Sequence, residues 1–312
     1  MANLNKLYSE FNNRITLTTS KSDSLRKSRD ALRSDIKKWF SDNDNYQPKF
    51  CMQGSFAMRT VVNPIDNGEY DLDDGIYLQG YEDVDQTDWP SPSTAHKWIK
   101  DAVSDRTSKN PIDKNTCVRV IYAEGYHIDL PIYIIQNNTA FLAHKTDGWI
   151  ESDPKAFKDW FVDKVHDDQH GEQLRRGVKV LKAWADYNEI DLKGIELTIL
   201  ATNEFEQYEN RDDKCFINTV EKIILNLEYH FRCIKPVIPG EDLFVRFDEE
   251  GKKKIVRAFK SLKKSMDCAI AEIDEEKASE YLRDVFGPGF PKGTSSKNSS
   301  ALGVLRHDGR SA

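Results

Sequence analysis

The sequence predicts an α+β fold in which a half that mixes strands with helices is followed by a helical half. Between residue 50 and about residue 135, short apolar segments have the length and composition of strands. From residue 154 onward, apolar residues instead recur at helical spacing. With 312 residues the chain is long for a single hydrophobic core, so we expect two closely joined lobes.

The amino-terminal segment, residues 4–40, is predicted to form a long helix, with a break near Thr16–Ser20, that packs across both lobes. Its apolar positions recur on one helical face, at Leu25, Leu32, Ile36 and Trp39. A turn-rich stretch at 41–49 marks the end of this helix.

The remaining elements follow from the same patterns. Strands are predicted at 50–53, 70–78, 116–123 and 126–135. Helices are predicted near 93–104 and at 154–166, 171–188, 196–209, 215–232 and 251–284. We therefore expect a core with the long helix at residues 1–150 and a helical lobe at 151–287. Residues 288–312 are rich in Gly, Pro and Ser, which predicts a flexible tail.

Composition narrows the class of protein. Charged residues make up 31% and hydrophobic residues 38%, and no apolar run approaches the roughly 20 residues of a membrane span. The amino terminus has no apolar stretch of signal-peptide type. Five scattered cysteines without a Cys-x-x-Cys pair argue against a disulfide framework and a zinc ribbon, and the net charge of −7 argues against constitutive DNA binding. We expect a cytoplasmic monomer with no membrane partner.

Two carboxylates in one predicted strand indicate a metal site. Asp71 and Asp73 are two positions apart, so both side chains project from the same face of the strand. Asp129 interrupts an otherwise apolar strand, where an unpaired charge would be costly, and is the expected third ligand. Three carboxylates suit two Mg²⁺ ions that stabilise a phosphoryl-type transfer. The alternative is an acidic turn; Asp74 is expected to point the opposite way and to be structural.

A glycine-serine turn precedes these carboxylates. Gly54 allows backbone amides to approach a phosphate closely, and Ser55 adds a hydroxyl donor. Gln53 and Thr60 either extend this polar shell or are structural hydrogen-bonding residues.

Two cations are further candidates. Lys182 lies between core residues of a predicted helix, so its ammonium group could extend towards a triphosphate, whereas Arg175 and Lys179 on the same stripe are interpreted as solvated. Arg119, in a predicted strand near Asp129, either contacts the substrate or pairs with a carboxylate.

Taken in order, these segments resemble the cGAS/DncV-like nucleotidyltransferases (CD-NTases), bacterial enzymes that make cyclic oligonucleotide messengers, and in particular the bacterial cyclic GMP-AMP synthase (DncV) type. The matching segments are Gln-Gly-Ser-Phe-x-x-x-Thr at 53–60, Asp-Leu-Asp-Asp-Gly at 71–75, Lys-Asn-Thr-Cys-x-Arg at 114–119, His-Ile-Asp-Leu-Pro-Ile-Tyr at 127–133, Ser-Asp-Pro-Lys with a following Asp-Trp-Phe at 152–161, and Leu-x-x-x-Val-x-x-Leu-Lys-Ala-Trp at 174–184. Six ordered matches are far more specific than any one of them.

The resemblance implies a polymerase-β-like core, a helical second lobe and an active site in the cleft between them. It also implies that Asp71, Asp73 and Asp129 are catalytic and bind two Mg²⁺ ions, with Mn²⁺ as an expected substitute. It implies nucleotide contacts by Gln53, Gly54, Ser55, Thr60, Arg119, Ser152, Asp153 and Lys182, of which Ser152 and Asp153 would contact a guanine edge. From the residues alone, Ser152-Asp153-Pro154 is the pattern of a helix N-cap.

The function implied is synthesis of a cyclic dinucleotide from ATP and GTP by two sequential nucleotidyl transfers, with cyclic GMP-AMP of 3′,3′ linkage favoured, in CBASS-type anti-phage defence. The alternatives are a nucleotidyltransferase acting on RNA ends or small molecules, and a catalytically silent nucleotide-binding module. The zinc-bound thumb of the animal relative has no counterpart, since His166 and His170 lack cysteine partners. A ubiquitin-transferase-like partner acting on Ala312 is a further implication of the resemblance.

Overall fold

One mixed sheet forms the centre of the first lobe. The structure, a computed structural model, describes residues 3–64, 68–165 and 171–295. The strands are β1 (Lys49–Gln53), β2 (Tyr70–Leu78), β3 (Ile112–Asp113), β4 (Val118–Tyr122), β5 (Tyr126–Leu130), β6 (Ile132–Gln136), β7 (Thr139–His144) and β8 (Gly148–Glu151). Their spatial order is β3-β4-β5-β2-β6-β7-β8, with β1 antiparallel to β2. The central strand β2 runs parallel to β5 along its first half and to β6 along its second.

Helices cover one face of this sheet and build the second lobe. They are α1 (Asn5–Ile15), α2 (Thr19–Asp42), α3 (Gly54–Ala57), α4 (Pro92–Ala102), α5 (Pro154–Lys164), α6 (Gly171–Tyr187), α7 (Gly194–Asn203), α8 (Asp212–Tyr229), α9 (Glu249–Ala271) and α10 (Glu275–Phe286). The predicted α+β architecture with a helical second lobe is confirmed. Among the described residues, none of the helices combines the length and the apolar character that a membrane crossing requires.

The amino-terminal segment joins two hydrophobic cores. It breaks after α1, as predicted, and α2 begins where the Thr18 hydroxyl accepts a hydrogen bond from the Lys21 amide at 3.3 Å. Helix α2 buries Leu25 and Leu32 against the sheet, whereas α1 buries Phe11 in the core of the helical lobe. The segment therefore spans both lobes, as expected, but a boundary at residue 150 is not a clean division because α1 packs with the second lobe.

Two predicted elements are each divided in two. The predicted strand 126–135 is β5 and β6, which separate at Pro131, a residue without an amide hydrogen to donate to a neighbouring strand. The predicted helix 251–284 is α9 and α10, because Asp274 caps a new helix by accepting from the Lys277 amide at 3.1 Å. Strands β3, β7 and β8 were not predicted. Strand β3 has only two residues and pairs with β4, whereas β7 pairs with both β6 and β8.

The predicted tail boundary at residue 288 is too early. Phe290 is completely buried and stacks on Phe286, with ring centroids 5.5 Å apart. It also packs against Phe11 of α1. One aromatic anchor thus fixes the beginning of a segment whose composition otherwise predicts flexibility. Residues 296–312, and the pair His166 and His170, lie outside the described residues.

Candidate active site

The two faces of β2 have different roles. Leu72, Asp74 and Ile76 face the core beneath α2, while Asp71 and Asp73 face the opposite side. Asp74 is buried and accepts two hydrogen bonds from Arg33 of α2, at 2.7 Å from Nε and 2.5 Å from Nη2. The expectation that Asp74 is structural is confirmed.

Strand pairing brings the third carboxylate beside the other two. In the parallel register of β2 and β5, Asp73 lies opposite Asp129 and Asp71 lies opposite His127. Residues paired in this way project from the same face, so the three carboxylates share one face of two adjacent strands. Burial, followed by the charges of Asp71 and Asp129, raises the pKa of Asp73 well above its ordinary value. This concentration of negative charge favours binding of cations.

Gly54 is packed against one of these carboxylates. Gln53, the last residue of β1, lies opposite Asp73, and the chain then turns at Gly54 with a φ of +65°. A Cβ atom on Gly54 would lie 2.0 Å from Oδ2 of Asp73. Glycine is therefore required here twice, by the left-handed backbone and by the position of the carboxylate.

Gln53 fits both interpretations of its role. Its Nε2 donates to the Tyr133 hydroxyl at 3.0 Å, which is a structural contact between β1 and β6. Its Oε1 is buried without a hydrogen-bond partner although the residue lines the cleft. A buried amide oxygen without a partner is costly, so a donor that reached this atom would be stabilising.

Lys182 of α6 faces the carboxylates from the other side. Its ammonium group donates to Thr60 Oγ1 at 3.2 Å, and the Thr60 amide donates to the Ser55 carbonyl at 2.9 Å. Thr60 thus connects the glycine-serine turn to Lys182. Burial lowers the pKa of Lys182 to about 8, although Asp71 and Asp73 act in the opposite direction. The side chain is therefore mostly protonated at neutral pH.

Lys179, one turn earlier on α6, corrects one interpretation made from the sequence. It is buried and donates to Thr16 Oγ1 at 2.6 Å, so it is not a solvated residue. Arg175 is also partly buried, with its Nε 3.2 Å from the Met58 carbonyl oxygen. These two side chains of α6 therefore connect the helical lobe to the chain at Thr16 and at Met58.

A cleft of about 740 Å³ separates the two lobes at this point. That volume is in the range of sites for nucleotide-sized ligands. Of the predicted residues, it is lined by Gln53, Gly54, Ser55, Thr60, Asp71, Asp73, Ser152 and Lys182. The structure thus gathers eight predicted site residues, from both lobes, around one space.

Three predicted residues do not line this cleft, namely Arg119, Asp129 and Asp153. Arg119 donates two hydrogen bonds of 2.7 Å to the Asp129 carboxylate, from Nε to Oδ1 and from Nη2 to Oδ2, so it pairs with a carboxylate. Asp153 caps α5, since its Oδ1 accepts from the Ala156 amide at 2.8 Å. The N-cap that the residue pattern alone predicts is therefore present.

The carboxylates fit Mg²⁺ or Mn²⁺ in kind. All three candidate ligands are oxygen donors, and these cations prefer such donors. Within residues 3–64, 68–165 and 171–295, no three His, Cys, Asp or Glu side chains are arranged to hold a metal ion. Asp71 and Asp73 face the cleft, whereas Asp129 is bound by Arg119. Two of the candidate ligands therefore line the cleft, while both oxygens of the third accept hydrogen bonds from Arg119.

The cleft also contains residues that the sequence did not indicate. Lys235 comes from the segment between α8 and α9; its side chain is 11% exposed, and its Nζ lies 3.6 Å from Glu241 Oε1. Glu69 also lines the cleft, and its carboxylate lies 3.0 Å from His127 Nδ1. Both lie outside regular elements, so no periodic pattern could single them out.

Comparison with known proteins identifies what this site resembles. Residues 48–133 match the family model described as "Cyclic GMP-AMP synthase DncV-like, nucleotidyltransferase domain". The chain is 29% identical over 212 residues to a protein named cyclic GMP-AMP synthase from Escherichia albertii, covering 63% of this chain and 45% of that relative. It is 24% identical over 240 residues to a c-di-GMP synthase from Roseivirga ehrenbergii, covering 66% of this chain and 61% of that relative. The chain thus spans about half the length of these curated relatives.

The similarity in fold extends further. A crystal structure of Vibrio cholerae DncV cyclic AMP-GMP synthase in complex with the linear intermediate 5′ pppA(3′,5′)pG superposes with a TM-score of 0.77. The alignment covers 93% of this chain and 97% of that chain, at 19% sequence identity. At this level of identity the likeness shows the fold alone.

Proposed function

We propose that this chain, whose residues 48–133 match the DncV-like nucleotidyltransferase family model, is a divalent-metal-dependent synthase of cyclic oligonucleotides. The observation that carries the proposal is the shared sheet face of Asp71, Asp73 and Asp129, beneath Gly54 and opposite Lys182. Carboxylates for metal ions, a glycine turn and a buried ammonium group are what phosphoryl-type transfer requires of a protein.

Asp71, Asp73 and Asp129 would hold two Mg²⁺ ions, or Mn²⁺ as a substitute, and these ions neutralise the charge that develops on the α-phosphate when bound. Lys182 and the Gly54-Ser55 turn would bind the donor triphosphate. Asp129 would assist deprotonation of the 3′-hydroxyl that attacks the α-phosphate and expels pyrophosphate. A second, equivalent attack within the linear intermediate then closes the ring.

Cyclic GMP-AMP with 3′,3′ linkages is the proposed product, made from ATP and GTP. Support comes from Ser152, which lines the cleft and whose hydroxyl can hydrogen-bond to a base edge; its neighbour Asp153 caps α5 and does not line the cleft. The two curated relatives are named for different cyclic dinucleotides, so the product must be measured. All four nucleoside triphosphates, one labelled at a time, are incubated with the protein and Mg²⁺, treated with phosphatase and analysed by mass spectrometry.

A phosphatase-resistant cyclic GMP-AMP is the expected product. A different cyclic product would correct the bases or linkage. A nucleotide transferred to RNA or to a small molecule would replace the proposal with another nucleotidyltransferase activity. Absence of any product under activating conditions would favour a silent nucleotide-binding module.

The pH dependence of triphosphate binding tests the role of Lys182. Only the protonated ammonium group attracts phosphate, and the pKa of Lys182 is lowered to about 8. Affinity for a non-hydrolysable triphosphate is therefore expected to change little below pH 7.5 and to fall up to about tenfold per pH unit above 8. Lys182→Arg should retain affinity at pH 9, because guanidinium stays protonated. Isothermal titration calorimetry at several pH values measures this.

Lys179 supplies the matched control. It lies on the same helix and its pKa is also lowered to about 8, but it contacts Thr16 and does not line the cleft. Lys179→Met is expected to leave the pH dependence of binding in place. If Lys179→Met removes it and Lys182→Arg does not, the assignment of Lys182 is wrong.

The biological setting proposed is CBASS-type anti-phage defence in the cytoplasm. A ubiquitin-transferase-like enzyme is proposed as a further partner, which joins the carboxyl terminus of the protein to other proteins. Co-expression with such an enzyme, followed by mass spectrometry for an isopeptide formed by the carboxyl terminus, tests this, and an unmodified terminus would refute it.

A further inference from the structure

Arg119 forms an ion pair with Asp129, the one candidate metal ligand of the three that does not line the cleft. Both hydrogen bonds are 2.7 Å long and each carboxylate oxygen accepts one of them. The side chains are 21% and 12% exposed, so water screens the pair only weakly. A paired fork of this kind is among the stronger side-chain interactions in proteins.

The ion pair is directly beside the other predicted metal ligands on the sheet. In the antiparallel register of β4 and β5, Arg119 lies opposite Asp129, and in the parallel register of β5 and β2, Asp129 lies opposite Asp73. Arg119, Asp129 and Asp73 therefore form a row across three neighbouring strands on one face. The guanidinium group is the cation at the end of this row.

Charge balance explains why a cation is needed there. Asp71, Asp73 and Asp129 are close enough to raise one another's energy when all are ionised. Lys182 and Arg119 are the cations that oppose this repulsion at Asp73. Without metal ions, Arg119 is the group that compensates Asp129 directly.

We propose that Arg119 is a positioning residue that takes the place of a metal ion at Asp129 in the metal-free protein and is exchanged for that ion when the site is loaded. The inference rests on the proposed function, because it concerns the same three carboxylates. Its consequence is that Arg119 competes with the metal, so the nucleotide-free protein binds the ion more weakly than three free carboxylates would. The released guanidinium group is then free to bind a phosphate or a base.

Mn²⁺ binding without turnover tests the exchange. Binding of Mn²⁺ alone is measured by electron paramagnetic resonance of the free ion, for the wild-type protein and for Arg119→Gln, which keeps hydrogen-bonding capacity but not charge. The Mn²⁺ dissociation constant is expected to fall about tenfold in Arg119→Gln. In an Asp129→Asn background, Arg119→Gln should have no effect, because the carboxylate for which the two cations compete is gone.

Arg33 offers a matched control. It makes the same two-hydrogen-bond contact with Asp74, one residue from Asp73 but on the opposite face of β2. Arg33→Gln should leave Mn²⁺ affinity unchanged, and thermal unfolding of each variant shows whether the fold is retained. If Arg33→Gln does not fold, Arg33→Lys serves as the control variant. If Arg119→Gln does not fold, Arg119→Lys is used instead, and it is expected to give a smaller gain in Mn²⁺ affinity.

The possible outcomes separate the two proposals. If Arg119→Gln leaves Mn²⁺ affinity unchanged or weakens it, while Asp73→Asn abolishes binding, the exchange is wrong and the metal site stands. If the wild-type protein binds no Mn²⁺ in a manner that depends on Asp73, even with a non-hydrolysable triphosphate present, the proposed function itself fails.

Discussion

Replacement of both Asp71 and Asp73 by Asn is expected to reduce formation of cyclic product by about a thousandfold or more. An amide neither neutralises a metal ion nor holds two of them together, and the loss of that stabilisation amounts to several kcal/mol in the transition state. Product from ATP, GTP and Mg²⁺ is measured by chromatography after phosphatase treatment. Product at wild-type rates would refute the assignment of these carboxylates.

Stability provides the control for this substitution. Because its pKa is raised in the folded state, Asp73 binds a proton there at pH values where the unfolded chain has released it. The free energy of unfolding therefore falls as the pH rises above about 4 through this window. Asp73→Asn removes that loss, so the metal-free variant is expected to be at least as stable as the wild-type protein at pH 7. If the variant were unfolded, its loss of activity would say nothing about the role of the carboxylates. Denaturant titration distinguishes an inactive folded variant from an unfolded one.

Replacement of Gly54 by Ala is the second substitution with a large expected effect. The new methyl group would meet Oδ2 of Asp73 at 2.0 Å, and the residue would have to keep a φ of +65°. Either the turn or the carboxylate must move, and a displacement of about 1 Å at reacting groups can reduce the rate about a hundredfold. We expect product formation to fall at least about a hundredfold, with a loss of roughly 3 kcal/mol in the free energy of unfolding.

Gly125 separates the backbone effect from the collision. It also has a positive φ, +81°, in the turn between β4 and β5, but nothing lies within 4 Å of the position of its Cβ. Gly125→Ala should cost only the roughly 1–2 kcal/mol of left-handed backbone strain and leave activity near the wild-type value. If Gly54→Ala behaves like Gly125→Ala in both assays, the proposed contact between the turn and Asp73 is wrong.

The sequence was informative where side-chain periodicity and strand pairing act together. Alternation along residues 70–78 was enough to assign Asp71 and Asp73 to one face and Asp74 to the other, because that alternation is a property of the strand itself. Asp129 could be chosen because it is the charged residue in an apolar segment. The placement of these side chains in the structure agrees with that reasoning.

Contacts between distant segments were not predictable in the same way. From its chemistry alone, Arg119 could pair with a carboxylate or with a phosphate. Asp129 is its partner because the register of β4 with β5 places the two residues opposite each other. Lys235 lies in an irregular segment, where no helical or strand periodicity predicts which way a side chain points. Phe290 belongs to a stretch rich in Gly and Pro, and its burial depends on a pocket formed by α1 and α10. Tertiary packing decides each of these cases.

The first helix determines how the molecule can be divided into fragments. Leu7 and Phe11 of α1 fill the interior of the helical lobe, together with Phe286 from near the other end of the chain. A polypeptide beginning at residue 151 would leave this interior open to water and prone to self-association. One beginning at residue 18 would keep the sheet and its supporting helix intact while lacking α1. The helical lobe is therefore completed by residues that precede the sheet in the sequence, and a fragment without them lacks part of its hydrophobic core.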